Sequence, residues 1–262
     1  SDVCSSDLKV GSMLAEADAE RLENFISEDV KKAVKYRLSR PEKWQMLDEK
    51  RLKANLLSSM PLCFNLFGHL ATDQALAQQV VAAWFPDLWV EDASVEVNFE
   101  WSPGRRNPEY LADNTAFDVS FHILGTDRKH LIGIETKYHE HPKKEPLKTE
   151  NLRYAEVSRE AGQGAGLIEQ LDNHRATQIW RDHLLALSCF QHRTAGWDAV
   201  KYVLVAPAGN PAWRPLTDEY CTLVPNATET FEFRTIEKLL EQSGGILPQE
   251  QKFRERYLDV EV

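Results

Sequence analysis

Asp118 and the pair Glu135 and Lys137 are the residues from which chemistry can be built, because two extended segments bring them together. Phe117, Val119, Phe121 and Ile123 alternate with Asp118, Ser120 and His122, the pattern of a half-buried strand. A second strand, Lys129 to Tyr138, follows the short polar turn Gly125-Thr-Asp-Arg128. If Leu124 faces Lys129, then Phe121 meets Ile132, Val119 meets Ile134 and Phe117 meets Thr136 on an almost wholly apolar face. The other face sets Asp118 opposite Glu135, with Lys137 two residues beyond on the same side. Opposed residues have Cβ atoms about 4.5–5.5 Å apart, and like charges at that spacing are destabilising unless something cationic lies between them. Mg2+ (or Mn2+) meets that need, since it accepts two carboxylates, a carbonyl, waters and a phosphate oxygen. Asp118, Glu135 and Lys137 are therefore the candidate catalytic set. The carboxylates would hold the cation, and the ammonium would hold a water or neutralise charge growing on a phosphate.

The D/E-x-K spacing is not selective by itself. It occurs at Asp48/Lys50, Asp127/Lys129, Glu135/Lys137 and Glu250/Lys252, and only the third ends an apolar strand paired with an acidic one. The bland alternative for that site is a cross-strand ion pair on a solvated sheet face.

Other elements frame the pair. Val95, Val97, Phe99 and Trp101 form an earlier strand that ends near Glu100, and Pro61 to Gly68 is an unusually apolar segment. A helix runs from Asp73 to about Phe85 and stops at Pro86. A charged stretch from Glu140 to Glu160 reads as a loop, and Leu167 to about Phe190 as one long helix. Ala199 to Ala206 is a buried strand, Thr230 to Phe233 a short strand, and Thr235 to Leu240 and Gln249 to Leu258 are helices.

This arrangement resembles the PD-(D/E)XK, or restriction-endonuclease-like, nuclease superfamily, whose pattern is an Asp on one strand and D/E-x-K on the next. Here these are Asp118 in AFDVSF and Glu135-Thr-Lys137 in GIETKYHE. The order helix, three strands, helix, strand over roughly 61–207 is similar too. The segments CFNLFGHL, FEWSPGR, AFD, IGIETKYHE and QIWRDHLLA look like a poorly characterised family of restriction-endonuclease-like proteins within it. One departure is Phe117, which replaces the Pro before the Asp. The resemblance implies an α/β (α+β) fold with a mixed central sheet flanked by helices. It also implies an Mg-dependent nuclease that hydrolyses phosphodiester bonds of nucleic acid, DNA first. The expected partner is nucleic acid, with a homodimer left open.

Further residues enter as candidates. Glu100 would lie beside Asp118 as an additional metal ligand if its strand pairs antiparallel with the Asp118 strand. The resemblance makes Asn65 a candidate for the rear wall of the site, with a core or capping amide as the equal alternative. His174, Gln178 and Arg181 are spaced to share one helix face, and Gln178 and Arg181 become candidate phosphate contacts, against a plain solvated stripe.

The remaining features exclude more than they suggest. The chain of 262 residues carries 31 Lys+Arg against 41 Asp+Glu, a net charge of −10, which opposes non-specific attraction to nucleic acid or anionic lipid. That balance favours the alternative reading, a catalytically inactive binding or interaction module with the same fold. His139-Glu-His141 lacks the spacing of a helical zinc site, and no G-x-S-x-G nucleophile elbow occurs. Gly162, Gly164 and Gly166 open a helix but match no nucleotide-binding fingerprint. The four cysteines form no C-x-x-C pair, and no apolar run approaches the roughly 20 residues of a bilayer span. A cytoplasmic location without membrane contact is the expectation. Asp2 to Leu8, DVCSSDL, looks like translated library adaptor, so residues 1–12 are taken as a non-native leader, 13–57 as an N-terminal helical appendage and 58–262 as the nuclease-like domain.

Overall fold

Five strands form the frame: β1 (Ser94–Trp101), β2 (Phe117–Leu124), β3 (Lys129–Thr136), β4 (Ala199–Ala206) and β5 (Phe231–Thr235). In this computed structural model, which describes residues 11–148, 150–164 and 166–259, they make one mixed sheet in the order β1-β2-β3-β4-β5. The first three are antiparallel, and β4 and β5 join in parallel. Around the sheet run α1 (Glu16–Glu20), α2 (Glu28–Leu38), α3 (Glu49–Ala54), α4 (Ser59–Phe67), α5 (Gln74–Trp84) and α6 (Leu152–Glu160). They are followed by α7 (Leu167–Leu171), α8 (Thr177–Gln191), α9 (Trp213–Leu223), α10 (Ala227–Thr230), α11 (Ile236–Gln242) and α12 (Glu250–Tyr257).

The central hairpin has the register that its turn length requires. Leu124 pairs with Lys129, Phe121 with Ile132 and Val119 with Ile134, and Gly125 N donates to Arg128 O at 2.9 Å. Val119, Phe121, Ile132 and Ile134 then face one core with α2, α4, α5, α11 and α12, while Leu131, Tyr202 and Leu204 face a second with α6, α8 and α9. Phe117 departs from the expected face. It lies in the second core, over Gly133 and against Tyr202 at 6.2 Å between ring centroids. Alternation breaks on both strands at one register step, between the pairs Phe99–Val119 and Trp101–Phe117, where Glu100 of β1 has a left-handed backbone (φ 52°). Phe99 and Val119 therefore pack on one face of the sheet, and Phe117 with its neighbour Trp101 on the other.

Helix boundaries follow local chemistry. Ser27 caps α2 and Asp73 caps α5 through side-chain oxygens that accept from Val30 N and Leu76 N, and Pro86 ends α5. All nine residues of α4 are buried, so this helix needs cover on the side away from the sheet. Segment 13–57 supplies it: Leu22, Phe25, Ile26, Val30, Val34 and Leu52 are each at most 4% exposed and belong to the same core. The segment read as an appendage is thus built into the domain.

Three further readings change. The stretch 140–160 is not all loop, because Tyr154 and Val157, three residues apart, bury one face of α6. The single helix expected over 167–190 is split into α7 and α8 at Asp172, which is extended, and Asn173, which is left-handed. Helix α9, missed by the sequence reading, follows Pro211 and buries Trp213, Leu216 and Tyr220. Of the expected leader, residues 1–10 lie outside the described part. Among the described residues no helix is long and apolar enough to cross a membrane.

Candidate functional site

The antiparallel β1, β2 and β3 bring their acidic residues to the same end of the sheet, and α4 and α8 contribute to the cleft there. Glu100, Asp118, Glu135 and Gln178 line two adjoining compartments of a cleft, of about 380 and 340 Å³. Lys137 and Ser59 line the first, and Arg181 and Asp182 the second.

Asp118 is held from β3. Its Oδ2 accepts from Thr136 N at 2.8 Å and from Thr136 Oγ1 at 2.6 Å, while Oδ1 accepts no hydrogen bond among the described residues. Glu135 Oε1 accepts from Lys137 Nζ at 2.7 Å and Gln178 Nε2 at 2.8 Å, and Gln178 Oε1 accepts from Lys137 Nζ at 2.9 Å. Glu135, Lys137 and Gln178 thus form a closed triangle that fixes the Lys137 ammonium beside the carboxylates, 5.4 Å from the centre of the Trp213 ring.

The electrostatics are those of crowded negative charge. Burial, then Glu135 and Glu100, push the Asp118 carboxyl well above the usual carboxylate range. Burial opposes the charge on Lys137, but Glu135 and Asp118 outweigh it and hold the ammonium protonated. Glu100 is pushed up to about 7 by burial and then by Glu135, with Arg105 and Arg37 pulling the other way. The folded state therefore holds the Glu100 proton more tightly than the unfolded chain does. Its contribution to stability is complete below about pH 4.5 and is lost as pH rises through about 7. Buried His122 and His183, pushed down to about 4 and 3, act in the opposite sense, so the Glu100 effect is read as a difference. The stability of the wild type relative to Glu100→Gln, from urea unfolding without divalent ions, should fall between pH 4.5 and 7 by on the order of 3 kcal/mol. A difference independent of pH would contradict this assignment.

The expected residues divide clearly. Asp118, Glu135, Lys137, Glu100, Gln178 and Arg181 all border the cleft. Arg181 faces Glu145 at 3.3 Å and is kept charged, against its burial, by Asp182 and Glu145. His174 is not on their helix, since α8 begins at Thr177. Asn65 is elsewhere and corrects the rear-wall expectation. Its Oδ1 accepts from Ile26 N, and its Nδ2 donates to Asn24 O and Tyr257 Oη, so it clamps segment 13–57 and α12 to α4.

Two residues were missed. Asp182 is 3% exposed and lies one helical turn after Gln178, a spacing that would have placed both on the same face. Burial and Glu135 push its carboxyl well above its ordinary range. Glu140, read only as a loop residue, accepts from Ser59 N at 3.0 Å, Tyr138 N at 2.7 Å and Arg51 Nη2 at 3.0 Å, tying the exit of β3 to the start of α4.

The donor set suits a hard divalent cation: oxygen ligands only, on carboxyl groups that repel one another, with Asp118 Oδ1 and Glu135 Oε2 unused by hydrogen bonds among the described residues. No group of three His, Cys, Asp or Glu side chains among those residues is arranged to enclose a metal ion.

No curated protein matches the chain. A family model described as the PD-(D/E)XK nuclease superfamily matches residues 2–259, nearly the whole length, and spans the strands bearing Asp118, Glu135 and Lys137. With the mixed five-stranded sheet and its flanking helices, this match places the chain in the PD-(D/E)XK nuclease superfamily.

Proposed function

We propose that this protein is a Mg2+- or Mn2+-dependent nuclease that hydrolyses phosphodiester bonds in DNA, with Asp118, Glu135 and Lys137 as its catalytic residues. The observation that carries the reading is the Lys137 ammonium, 2.7 Å from Glu135 and in one cleft with the half-buried Asp118 carboxyl. Asp118 and Glu135 would hold the metal, with Glu100 as the additional ligand. A bound divalent ion supplies Lewis acidity and lowers the pKa of water at the scissile phosphate. Lys137 orients that water or stabilises the negative charge on the phosphate as the P–O bond breaks. Gln178 holds Lys137 and Glu135 in register, and Arg181 offers its guanidinium to a neighbouring phosphate once Glu145 yields it.

The direct test incubates purified protein with supercoiled, linear and single-stranded DNA and with RNA, with Mg2+, Mn2+ or a chelator. Cleavage should require the ion and vanish in Asp118→Asn, which keeps an acceptor for Thr136 and relieves charge repulsion, so its Tm should equal or exceed that of the wild type. Cleavage that persists in Asp118→Asn contradicts the assignment. The triangle in which Lys137 and Gln178 already satisfy Glu135 Oε1 favours a second reading, a silent module with the same fold. Such a module would show no Mn2+ binding that depends on Asp118 in a calorimetric titration.

A further inference from the structure

Most large apolar side chains of this protein are buried, but Trp44 and Met46 are 40% and 67% exposed. Both lie in the connection between α2 and α3, and Met46 borders both compartments of the cleft that holds Asp118 and Glu135. Trp44 sits between two cations, with Lys43 Nζ 4.2 Å and Arg106 Cζ 4.6 Å from its ring centre. Arg106 in turn donates from Nε to Asn114 Oδ1 at 3.1 Å, and Asn114 lines the second compartment. The thioether therefore belongs to the mouth of the site, and the exposed indole, two residues earlier in the chain, is linked to it through Arg106 and Asn114.

This connection is fastened to the strand that bears Glu100. Arg37, itself 7% exposed, donates from Nε to Phe99 O at 2.9 Å, from Nη1 to Arg40 O at 2.7 Å and from Nη2 to Gln45 Oε1 at 2.8 Å. Arg105 donates to Glu100 O at 2.8 Å and pairs with Glu42. Two buried guanidinium groups thus bridge the end of β1 to residues on both sides of Trp44. Trp44 and Arg106 each stand on left-handed backbone, φ 64° and 59°, a conformation that a bulky side chain adopts only when its surroundings impose it. The backbone that carries the indole is thus anchored on both sides.

An exposed indole flanked by cations, two residues from the rim of an anionic cleft, matches one ligand chemistry well: a nucleobase followed by its phosphates. Bases stack on aromatic faces whatever their identity, and neighbouring Lys and Arg side chains meet the backbone. Lys43 and Arg106 are both exposed, so an incoming base can displace the Lys43 ammonium from the ring towards the adjoining phosphate. Lys143 and Arg175, exposed on the rim of the first compartment, continue the cationic border. A fully paired duplex keeps its bases stacked on each other and offers an indole no free base face, whereas an unpaired strand does.

We propose that Trp44, backed by Met46, is a base-stacking platform that selects nucleic acid with an unpaired base next to the scissile phosphate: a single strand, an overhang or a distorted duplex. This rests on the nuclease reading above and adds the substrate class to it.

The test measures binding without cleavage, by fluorescence anisotropy in the Asp118→Asn background, at one salt concentration. The probes are a single-stranded oligonucleotide, a duplex of equal length with a single-stranded overhang, and a blunt duplex. Trp44→Ala should weaken binding of the single strand and the overhang about tenfold and of the blunt duplex less than about twofold. Trp44→Phe, which keeps an aromatic face, should recover most of the loss, and unchanged Tm values establish that the variants are folded. Equal effects of Trp44→Ala on all three probes, or none on any, overturn the stacking role while leaving the nuclease reading intact if wild type cleaves. No binding of any probe together with no cleavage by wild type overturns both.

Discussion

Lys137→Ala should lose about 10³-fold in the rate of metal-dependent DNA cleavage while binding Mn2+ at least as tightly as wild type. The rate loss follows from position. Lys137 is the one ammonium that hydrogen-bonds a candidate metal ligand, at 2.7 Å from Glu135 among the described residues, and it is 7% exposed. Charge stabilisation in such a water-poor site is worth several kcal/mol of barrier. Metal affinity moves the other way, because removing the ammonium deletes a positive charge that competes for Glu135. Truncating one member of a buried ion pair also costs stability, about 3–5 kcal/mol when the remaining charge is left unpaired, and here Gln178 still donates to Glu135. The assay therefore includes a Tm for the variant and addition of a small primary amine. Partial recovery of rate with methylammonium or ethylammonium assigns the loss to the missing charge. A rate within tenfold of wild type, or a loss that follows unfolding and does not respond to amine, contradicts the role.

The largest effect on stability should come from Gly133→Val. A Cβ at Gly133 falls inside the van der Waals envelope of the Phe117 ring. Phe117 is fully buried, stacked at 6.2 Å on Trp101, so it has no free direction in which to withdraw. Overpacking of a filled core costs about 1–3 kcal/mol and more where the displaced group is rigid, and a β-branched residue on this aromatic ring belongs at the upper end. The consequence extends to the site, since Phe117 adjoins Asp118 and a displaced ring moves the strand that carries the carboxylate. Urea unfolding should show a loss of about 3 kcal/mol or more for Gly133→Val. The double variant Gly133→Val with Phe117→Leu should regain part of it. Additive effects of the two substitutions would mean that they do not share this contact.

The legibility of the sequence varied with the range of the interactions involved. The β2–β3 hairpin was readable because a four-residue turn and period-two alternation together admit one register, and that register alone predicted Asp118 near Glu135. The face of Phe117 was not readable, because alternation fails on both strands at one register step, where Glu100 is left-handed without a marker such as Gly or Asn. Helix α6 was hidden by its charged composition, since only Tyr154, Val157 and Ser158 of its nine residues are buried. Asn65 misled because a buried amide looks the same in sequence whether it faces a cleft or fastens the chain. Its partners Ile26 and Tyr257 lie 39 and 192 residues away. Glu140 and Asp182 were missed for different reasons, one lying in a charged stretch that reads as loop and the other next to Arg181 among the buried residues of α8.

Diffraction from crystals soaked in Mn2+ decides whether Asp118 and Glu135 share one ion, because manganese scatters anomalously and Mn2+ substitutes for Mg2+ on oxygen ligands. One anomalous peak is expected about 2.0–2.3 Å from carboxylate oxygens of both Asp118 and Glu135, with Lys137 beside it and the peak absent from Asp118→Asn. A fully occupied peak elsewhere with none between these two carboxylates, or no peak at Mn2+ concentrations that support cleavage, would contradict a shared ion.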